Sequence, residues 1–184
     1  ARGGVPPLVQ SVLEAQANRF REGLVAPAAA DLQILRSAND RQRVVKKNAG
    51  ASLVDLGDGV LAVEFHSKMN AIGGDTLEML EGGVAAASGG YAGLVIATEG
   101  PLLSAGANLM LLLLAAQEGE WDDIDLMVRS FQRATMALRR SPVPVVVACG
   151  GLALGGGCEL VLHGDRVQAA AESYIGLVEV GVGL

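Results

Sequence analysis

A glycine-rich segment near the end of the sequence constrains this chain more than any other feature. The segment, Gly151–Leu184, contains the triplet Gly155–Gly157, followed by Glu159 and by a second acid with apolar neighbours, Glu179. A glycine run lets a ligand approach the backbone closely, because no Cβ atom stands in the way. An acid directly after such a run indicates a catalytic carboxylate beside a site formed by backbone amides.

Other glycine-rich sites fit this segment poorly. It has no GxGxxG pattern after a strand and no Lys-Ser or Lys-Thr pair to close a phosphate loop. A glycine triplet can also form a plain tight turn that leaves the nearby Glu in solvent. The fuller pattern, with Asp165 and the ending GLVEVGVGL, is more specific and favours the functional interpretation.

Composition limits the class of protein. The chain has 184 residues, which suggests one domain with an appendage. It is 51% hydrophobic but only 3% aromatic, so Val, Leu, Ala and Gly must form the core. The net charge of −6 argues against a nucleic-acid partner, since phosphate backbones select basic surfaces. The longest apolar run, Leu109–Ala116, is too short to span a membrane, and the opening ARGGVPPLV has no signal-peptide core.

The cysteines and histidines are predicted to be structural. Cys149 and Cys158 have apolar neighbours and form no framework of spaced pairs, which indicates reduced core residues and a cytoplasmic location. A catalytic thiol is not expected, because no His partner is evident. His66 and His163 belong to no HxxxH motif or Cys/His cluster, so no metal site is expected.

The first 50 residues differ from the remainder. Val5–Phe20 places its apolar residues on one helical face, and a helix of that kind packs against another element. Ala26–Ala30 has the low complexity of a linker. Arg41–Lys47 is basic and is predicted to be a solvated linker, with contact to ligand phosphates as the lesser alternative. We therefore expect a helix and linker over residues 1–50 and a folded core over residues 51–184.

From residue 52 onward, strands alternate with helices. Ser52–Leu56 and Val60–Phe65 flank a Gly-Asp-Gly turn and predict a β-hairpin. Such alternation predicts parallel βαβ units and an α/β fold. The further predicted elements are a helix with the apolar stripe Leu77–Ala87, a strand at Gly93–Thr98, a helix over Ile124–Leu138, a strand at Val143–Ala148, a helix at Gly157–His163 and a strand at Arg166–Ala170.

Two strand-to-helix junctions carry the candidate chemistry. Ser104–Asn108 (SAGAN) follows the strand that ends near Thr98, and Gly155–Gly157 follows the strand that ends near Ala148. Backbone amides at the start of a helix have no partner within the helix and can bind a ligand oxygen. Two such amides on one oxygen form an oxyanion hole.

From about Ser52 to Leu184 the sequence resembles the crotonase (enoyl-CoA hydratase/isomerase) family. The resemblance rests on SKMNAI at residues 67–72, on SAGAN and on the final glycine-rich segment. It implies the ClpP/crotonase type of α/β fold, a ββα superhelix. The residues that it implies are oxyanion amides at Ala107 and Gly156, catalytic acids at Glu159 and Glu179, and contacts to the coenzyme A thioester at Lys68, Met69, Ala105, Leu109 and Gly155. Asn108 departs from the Asp common in the family, but both residues cap helices well.

Two retained acids favour hydration of a trans-2-enoyl-CoA, as in fatty acid β-oxidation. By resemblance, Glu159 holds and activates water and Glu179 donates the proton. Two close carboxyls in an apolar pocket should titrate as a coupled pair, with one pKa raised. The alternatives are Δ3–Δ2 isomerisation by a single acid, and a non-catalytic module that binds acyl-CoA.

A narrower resemblance concerns residues 104–128, which are similar to the hydratase half of bacterial proteins that fuse a 3-hydroxyacyl-CoA dehydrogenase to a C-terminal crotonase domain. It implies that residues 1–50 are the dehydrogenase tail and connector. No cofactor is expected in this chain, and NAD only in a preceding dehydrogenase domain. The resemblance also implies a trimer-type homo-oligomer and helices beyond Leu184, so we expect a C-terminally truncated core with little hydratase activity of its own.

Overall fold

A computed structural model of the chain describes residues 42–183 together with Gln10, Glu14 and Leu35. The chain divides into two units, Ala1–Leu32 and Gln33–Leu184. The elements of the second unit are, in order, β1 (Val44–Lys47), β2 (Ala51–Gly57), β3 (Val60–Phe65), a 3-10 helix (Lys68–Asn70), α1 (Gly74–Ser88), β4 (Gly93–Ala97), α2 (Leu109–Glu118), α3 (Trp121–Arg139), β5 (Val145–Cys149), β6 (Leu152–Leu154), α4 (Gly156–His163), β7 (Arg166–Ala169), β8 (Tyr174–Gly176) and α5 (Glu179–Val182).

In the first unit the structure describes Gln10 and Glu14. Gln10 and Glu14 are both helical, and the side-chain amide of Gln10 donates to Oε1 of Glu14 over 3.1 Å. The other residues of the helix predicted over Val5–Phe20, and the linker predicted at Ala26–Ala30, lie outside the described part of the chain.

The main sheet has six strands in the order β1-β2-β3-β4-β5-β7. The first three strands pair antiparallel, and β3, β4, β5 and β7 pair parallel. Helices α1 and α3 lie between successive parallel strands, so the predicted βαβ units and α/β class are confirmed. A separate two-stranded sheet pairs β6 with β8 in parallel.

The predicted hairpin is confirmed. Its turn holds three residues in the left-handed region, with φ of 88° at Gly57, 52° at Asp58 and 77° at Gly59. Glycine adopts these angles without strain and Asp tolerates them better than most residues. The Gly-Asp-Gly sequence therefore encodes the turn locally.

The prediction of a linker over Arg41–Lys47 is wrong for Val44–Lys47, because these four residues form the edge strand β1. Its register pairs Val44 with Val54 and Lys47 with Ser52, so the sheet begins before residue 51. All four residues of β1 are exposed. Charged side chains are typical of edge strands, where they discourage pairing with other chains. A basic, exposed edge strand has the composition of a linker, and only its pairing with β2 distinguishes the two.

The core lies between the sheet and helices α1, α3 and α4. Phe65 is the one aromatic side chain among the fully buried residues of the described chain, which confirms an aliphatic core. Strand β5 begins two residues later than predicted because Pro144 has no N–H to donate to the ladder. The largest fully buried side chains include Leu61, Met79, Leu80, Leu94, Ile96, Leu103, Leu138 and Leu160.

Helix α3 confirms one prediction and corrects another. Its acids, Asp122 and Asp123, lie in the first turn and Arg139 lies in the last, as the helix dipole favours. The predicted apolar stripe is wrong at Val128, which is exposed, whereas its other members in the first half, Ile124 and Met127, are half-buried. The buried residues of α3, which include Ala134 and Leu138, all fall in its second half. Only that half therefore packs fully on the core.

Helix α2 is strongly apolar and begins at a capped end. The Asn108 side chain accepts a hydrogen bond from the Met110 amide at 3.2 Å, which confirms the predicted cap. The helix ends at Glu118 and is followed by Gly119, whose φ is 77°. Among the helices that the structure describes, none has both the length and the apolar character needed to cross a bilayer.

Candidate active site

The two predicted junctions meet in the structure. The amide of Ser104 donates to the Leu152 carbonyl at 3.1 Å, and the amide of Leu154 donates to the Ser104 carbonyl at 3.0 Å. A Cβ atom at Gly106 would lie 3.4 Å from the amide nitrogen of Gly156. The SAGAN segment therefore runs directly beside the glycine triplet, as an oxyanion hole made from both segments requires.

The Ala107 and Gly156 amides are oriented through the carbonyls of their own peptide units. The Gly106 carbonyl accepts from Ile72 N at 2.9 Å, and the Gly155 carbonyl accepts from Glu159 N at 3.1 Å. A trans peptide points its N–H away from its C=O, and no cis bond occurs in the described chain. Neither amide donates a hydrogen bond to another described residue. Two fixed N–H groups are thus available to a ligand oxygen.

The two-stranded sheet brings the second acid to the glycine triplet. Strand β6 pairs Leu154 with Gly176 of β8, and the Gly155 amide donates to the Gly176 carbonyl at 3.0 Å. Glu179 begins α5 just after β8, and its Oε1 lies 3.0 Å from the position that a Cβ atom would occupy at Gly155. Glu159 lies in the first turn of α4 on the same triplet. Both predicted acids are therefore adjacent to Gly155.

The two carboxyl groups interact electrostatically. Burial raises the pKa of Glu159, the charge of Glu179 raises it further, and His163 acts in the opposite direction. Desolvation and a like charge both disfavour the ionised carboxylate. The predicted rise for one member of the pair is confirmed, and such a carboxyl group can exchange a proton closer to neutral pH than an ordinary Glu.

Both cysteines are buried and free, as predicted. Burial raises the pKa of the Cys158 thiol, and the charges of Glu179 and Glu159 raise it further. Burial also raises the pKa of Cys149, although a hydrogen bond with Ser173 opposes the rise. Because the thiolate is the nucleophilic form, both environments disfavour thiol chemistry.

Both histidines have structural partners. Nδ1 of His163 donates to the Glu159 carbonyl at 2.7 Å, since a carbonyl oxygen can only accept. Nε2 of His66 lies 2.9 Å from Oγ of Ser52. The described residues contain no cluster of His, Cys, Asp and Glu that could hold a metal ion.

The predicted coenzyme A contacts divide into two groups. Met69 and Ala105 are joined to the site, because the Ala105 amide donates to the Met69 carbonyl at 3.1 Å. Met69 has a left-handed φ of 57°, which turns the chain toward SAGAN. Lys68 and Leu109 lie at the exposed ends of these segments, and Lys68 forms no ion pair with a described residue. Lys68 therefore forms no ion pair with Glu159 or Glu179.

Phe131 and Ile72 contact the site in a way that the sequence did not indicate. A Cβ atom at Gly156 would lie 2.9 Å from Cζ of Phe131 and 3.4 Å from Cδ1 of Ile72. Periodicity assigned Phe131 only to a helical stripe. The sequence signal that could have drawn attention to Phe131 is the rarity of aromatic residues, since the chain has only 3 phenylalanines and 1 tryptophan.

Comparison with known proteins identifies relatives of this arrangement. The sequence profile described as enoyl-CoA hydratase/isomerase matches residues 55–184. A Bacillus subtilis protein named a probable 3-hydroxyacyl-CoA dehydrogenase is 45% identical over 150 residues, which cover 82% of this chain and 19% of that protein. A Rickettsia felis protein, named as a candidate fatty acid oxidation complex trifunctional enzyme, is 33% identical over 77% of this chain and 20% of its own length.

A solved structure supports the fold. The enoyl-CoA hydratase from Polaromonas sp. JS666 superposes with a TM-score of 0.69 at 25% identity, over 73% of this chain and 53% of that one. The predicted crotonase-type architecture is confirmed. The chain spans about a fifth of the length of the two curated relatives and about half of the solved one.

Proposed function

Because the chain belongs to the enoyl-CoA hydratase/isomerase family, we propose that it carries the catalytic centre of a hydratase that adds water to trans-2-enoyl-CoA thioesters in fatty acid β-oxidation. One observation carries the proposal: two free amides, at Ala107 and Gly156, lie beside two carboxyl groups, at Glu159 and Glu179. Hydration needs both parts, an oxyanion site for the thioester carbonyl and a pair of groups that transfer protons.

The two amides supply the electrostatic part. The thioester oxygen gains negative charge as water adds to C3 and the enolate forms, and the Ala107 and Gly156 N–H groups stabilise that charge. Their carbonyl sides are already bonded, so they need little reorganisation during the reaction. Loss of one donor of this type typically lowers the rate by about 10²–10³-fold.

The two acids supply the proton transfers. Glu159 accepts a proton from water as the hydroxyl oxygen bonds to C3, and Glu179 delivers a proton to C2, so the sum of the two transfers is one molecule of water. Burial raises the pKa of Glu159, which makes it a stronger base once it is ionised. Isomerisation needs only one acid, and the presence of both at Gly155 favours hydration.

The context of the site is also a proposal. The names of the relatives support a longer protein in which this domain is fused to a 3-hydroxyacyl-CoA dehydrogenase. Lys68, Met69, Ala105, Leu109 and Gly155 are proposed to contact the coenzyme A thioester. We also propose that the protein forms a trimer-type homo-oligomer. The two free cysteines support a cytoplasmic location.

The test uses the longest natural protein that contains this chain, with a panel of 2-enoyl and 3-enoyl thioesters. Glu159→Gln and Glu179→Gln should each lower hydration of crotonyl-CoA by about 10²–10⁴-fold, because the amide keeps size but cannot exchange the proton. Thioester binding should persist. Glu172→Gln, at an exposed position, is the matched control and should leave turnover unchanged. Near wild-type hydration by either variant, or faster turnover of 3-enoyl substrates, would contradict the assignment.

A further inference from the structure

Ser104 connects three segments of the candidate site and is fully buried. Its hydroxyl donates to the Asn70 carbonyl at 2.7 Å and accepts from the Gly106 amide at 3.0 Å. Its backbone amide and carbonyl pair with Leu152 and Leu154. Every polar group of this serine is therefore engaged, which is how buried polar groups avoid a desolvation penalty.

Ser104 contacts the residues next to both candidate oxyanion amides, Ala107 and Gly156. The bond to the Gly106 amide fixes the peptide unit directly before the one that carries the Ala107 N–H. It holds Gly106 at a φ of 92°. On the other side, a Cβ atom at Gly157 would lie 2.9 Å from both Cβ and O of Ser104. The first turn of α4, which carries the Gly156 amide, therefore rests directly on this serine.

We propose that Ser104 is the positioning residue that sets the spacing between the Ala107 and Gly156 amides. The inference rests on the proposed function, since it assumes that both amides bind one thioester oxygen. Catalytic donors must hold their geometry to within about 0.5 Å. Without the hydroxyl, the Gly106 amide and the Asn70 carbonyl lose their partner. Asn70 itself has a left-handed φ of 47°, which the surrounding bonds must maintain.

The test compares Ser104→Ala and Ser104→Cys with Ser52→Ala in the longest natural protein that contains the chain. Ser52 is a matched control, because it is 2% exposed and its hydroxyl lies 2.9 Å from Nε2 of His66, a residue of neither junction. Three quantities are measured: kcat and KM for crotonyl-CoA, and the absorbance maximum of a bound aryl-conjugated 2-enoyl-CoA. That maximum moves to longer wavelength when hydrogen bonds polarise the thioester carbonyl.

We expect Ser104→Ala to lower kcat by about 10–100-fold with little change in KM, because misplaced catalytic groups cost rate. The absorbance shift should shrink in parallel. Ser104→Cys should be intermediate in both, since a thiol is a weaker hydrogen-bonding group. Ser52→Ala should keep the wild-type kcat and absorbance shift even if it unfolds at a lower temperature.

A Ser104→Ala protein with wild-type kcat, or with reduced kcat but an unchanged absorbance shift, would overturn the proposal. If that variant does not fold, Ser104→Cys decides, and a wild-type shift there overturns it. If the wild-type protein binds the probe but does not hydrate 2-enoyl thioesters, the proposed function is wrong, whereas the proposal for Ser104 is not yet contradicted. The absorbance comparison would still test the positioning role, because polarisation of the carbonyl does not require turnover.

Discussion

Gly156→Ala tests the close approach on which the oxyanion hole depends. The new Cβ would lie 2.9 Å from Cζ and 3.0 Å from Cε2 of Phe131. Gly156 begins α4 with an ordinary backbone conformation, so alanine brings no φ strain there. Any effect of the substitution must therefore come from the contact with Phe131 and not from the backbone angles.

The magnitude follows from the distances. Ordinary contacts of a Cβ atom begin at 3.4 Å, so the ring and the helix start must separate by about 0.5 Å. Overpacking of this kind costs about 1–3 kcal/mol, while alanine gains up to about 1 kcal/mol over glycine in a helix. We expect net destabilisation of about 0–3 kcal/mol. A shift of this size reaches the tolerance of a catalytic group, so turnover should fall by up to about 10²-fold.

The assay combines thermal unfolding with hydration of crotonyl-CoA for a set of glycine-to-alanine variants. Gly82→Ala, in α1, meets nothing within 4 Å and should be neutral or stabilising. Gly83→Ala would place a Cβ 2.7 Å from Cγ2 of Val63, so it should destabilise without lowering kcat of the folded protein. Gly156→Ala with Phe131→Leu should recover part of the lost turnover, because leucine removes the ring edge.

Two results would refute this reasoning. The first is wild-type turnover by Gly156→Ala alone, which would mean that the amide does not need its present position. The second is a double-mutant cycle in which Gly156→Ala and Phe131→Leu add independently. Residues in direct contact normally show a coupling energy of about 0.5–3 kcal/mol.

Three further predictions concern stability. Because the pKa of Glu159 is raised in the folded protein, the unfolding free energy falls as pH rises from the ordinary Glu pKa of 4.5 through the folded pKa. The gain in unfolding temperature from Glu159→Gln should therefore grow from acid to neutral pH. Asn108→Ala should cost about 1 kcal/mol in urea unfolding by loss of the cap to Met110, and Asn108→Asp should not. Gly151→Ala combines a φ of 60° with overlap on the Pro101 carbonyl and should lower the unfolding temperature far more than Gly150→Ala, which meets nothing within 4 Å.

The local sequence determined those structural elements that depend only on residues close together in the chain. The hairpin turn at 57–59 is encoded by residues that tolerate a left-handed backbone, and α4 begins inside the glycine triplet as expected. The charges at the two ends of α3 and the cap at Asn108 could also be assigned without the fold. The candidate oxyanion amides and acids could be assigned because they lie in short motifs that resemble those of the crotonase family.

Tertiary structure decided which of these groups meet. Strands β6 and β8 have three residues each and were not predicted, yet their pairing brings Glu179 to Gly155. The contacts of Phe131 with Gly156 and of Ser104 with Asn70 join residues far apart in sequence. Periodicity and propensity describe a residue and its near neighbours, whereas these contacts depend on how the helices and loops pack across the end of the sheet.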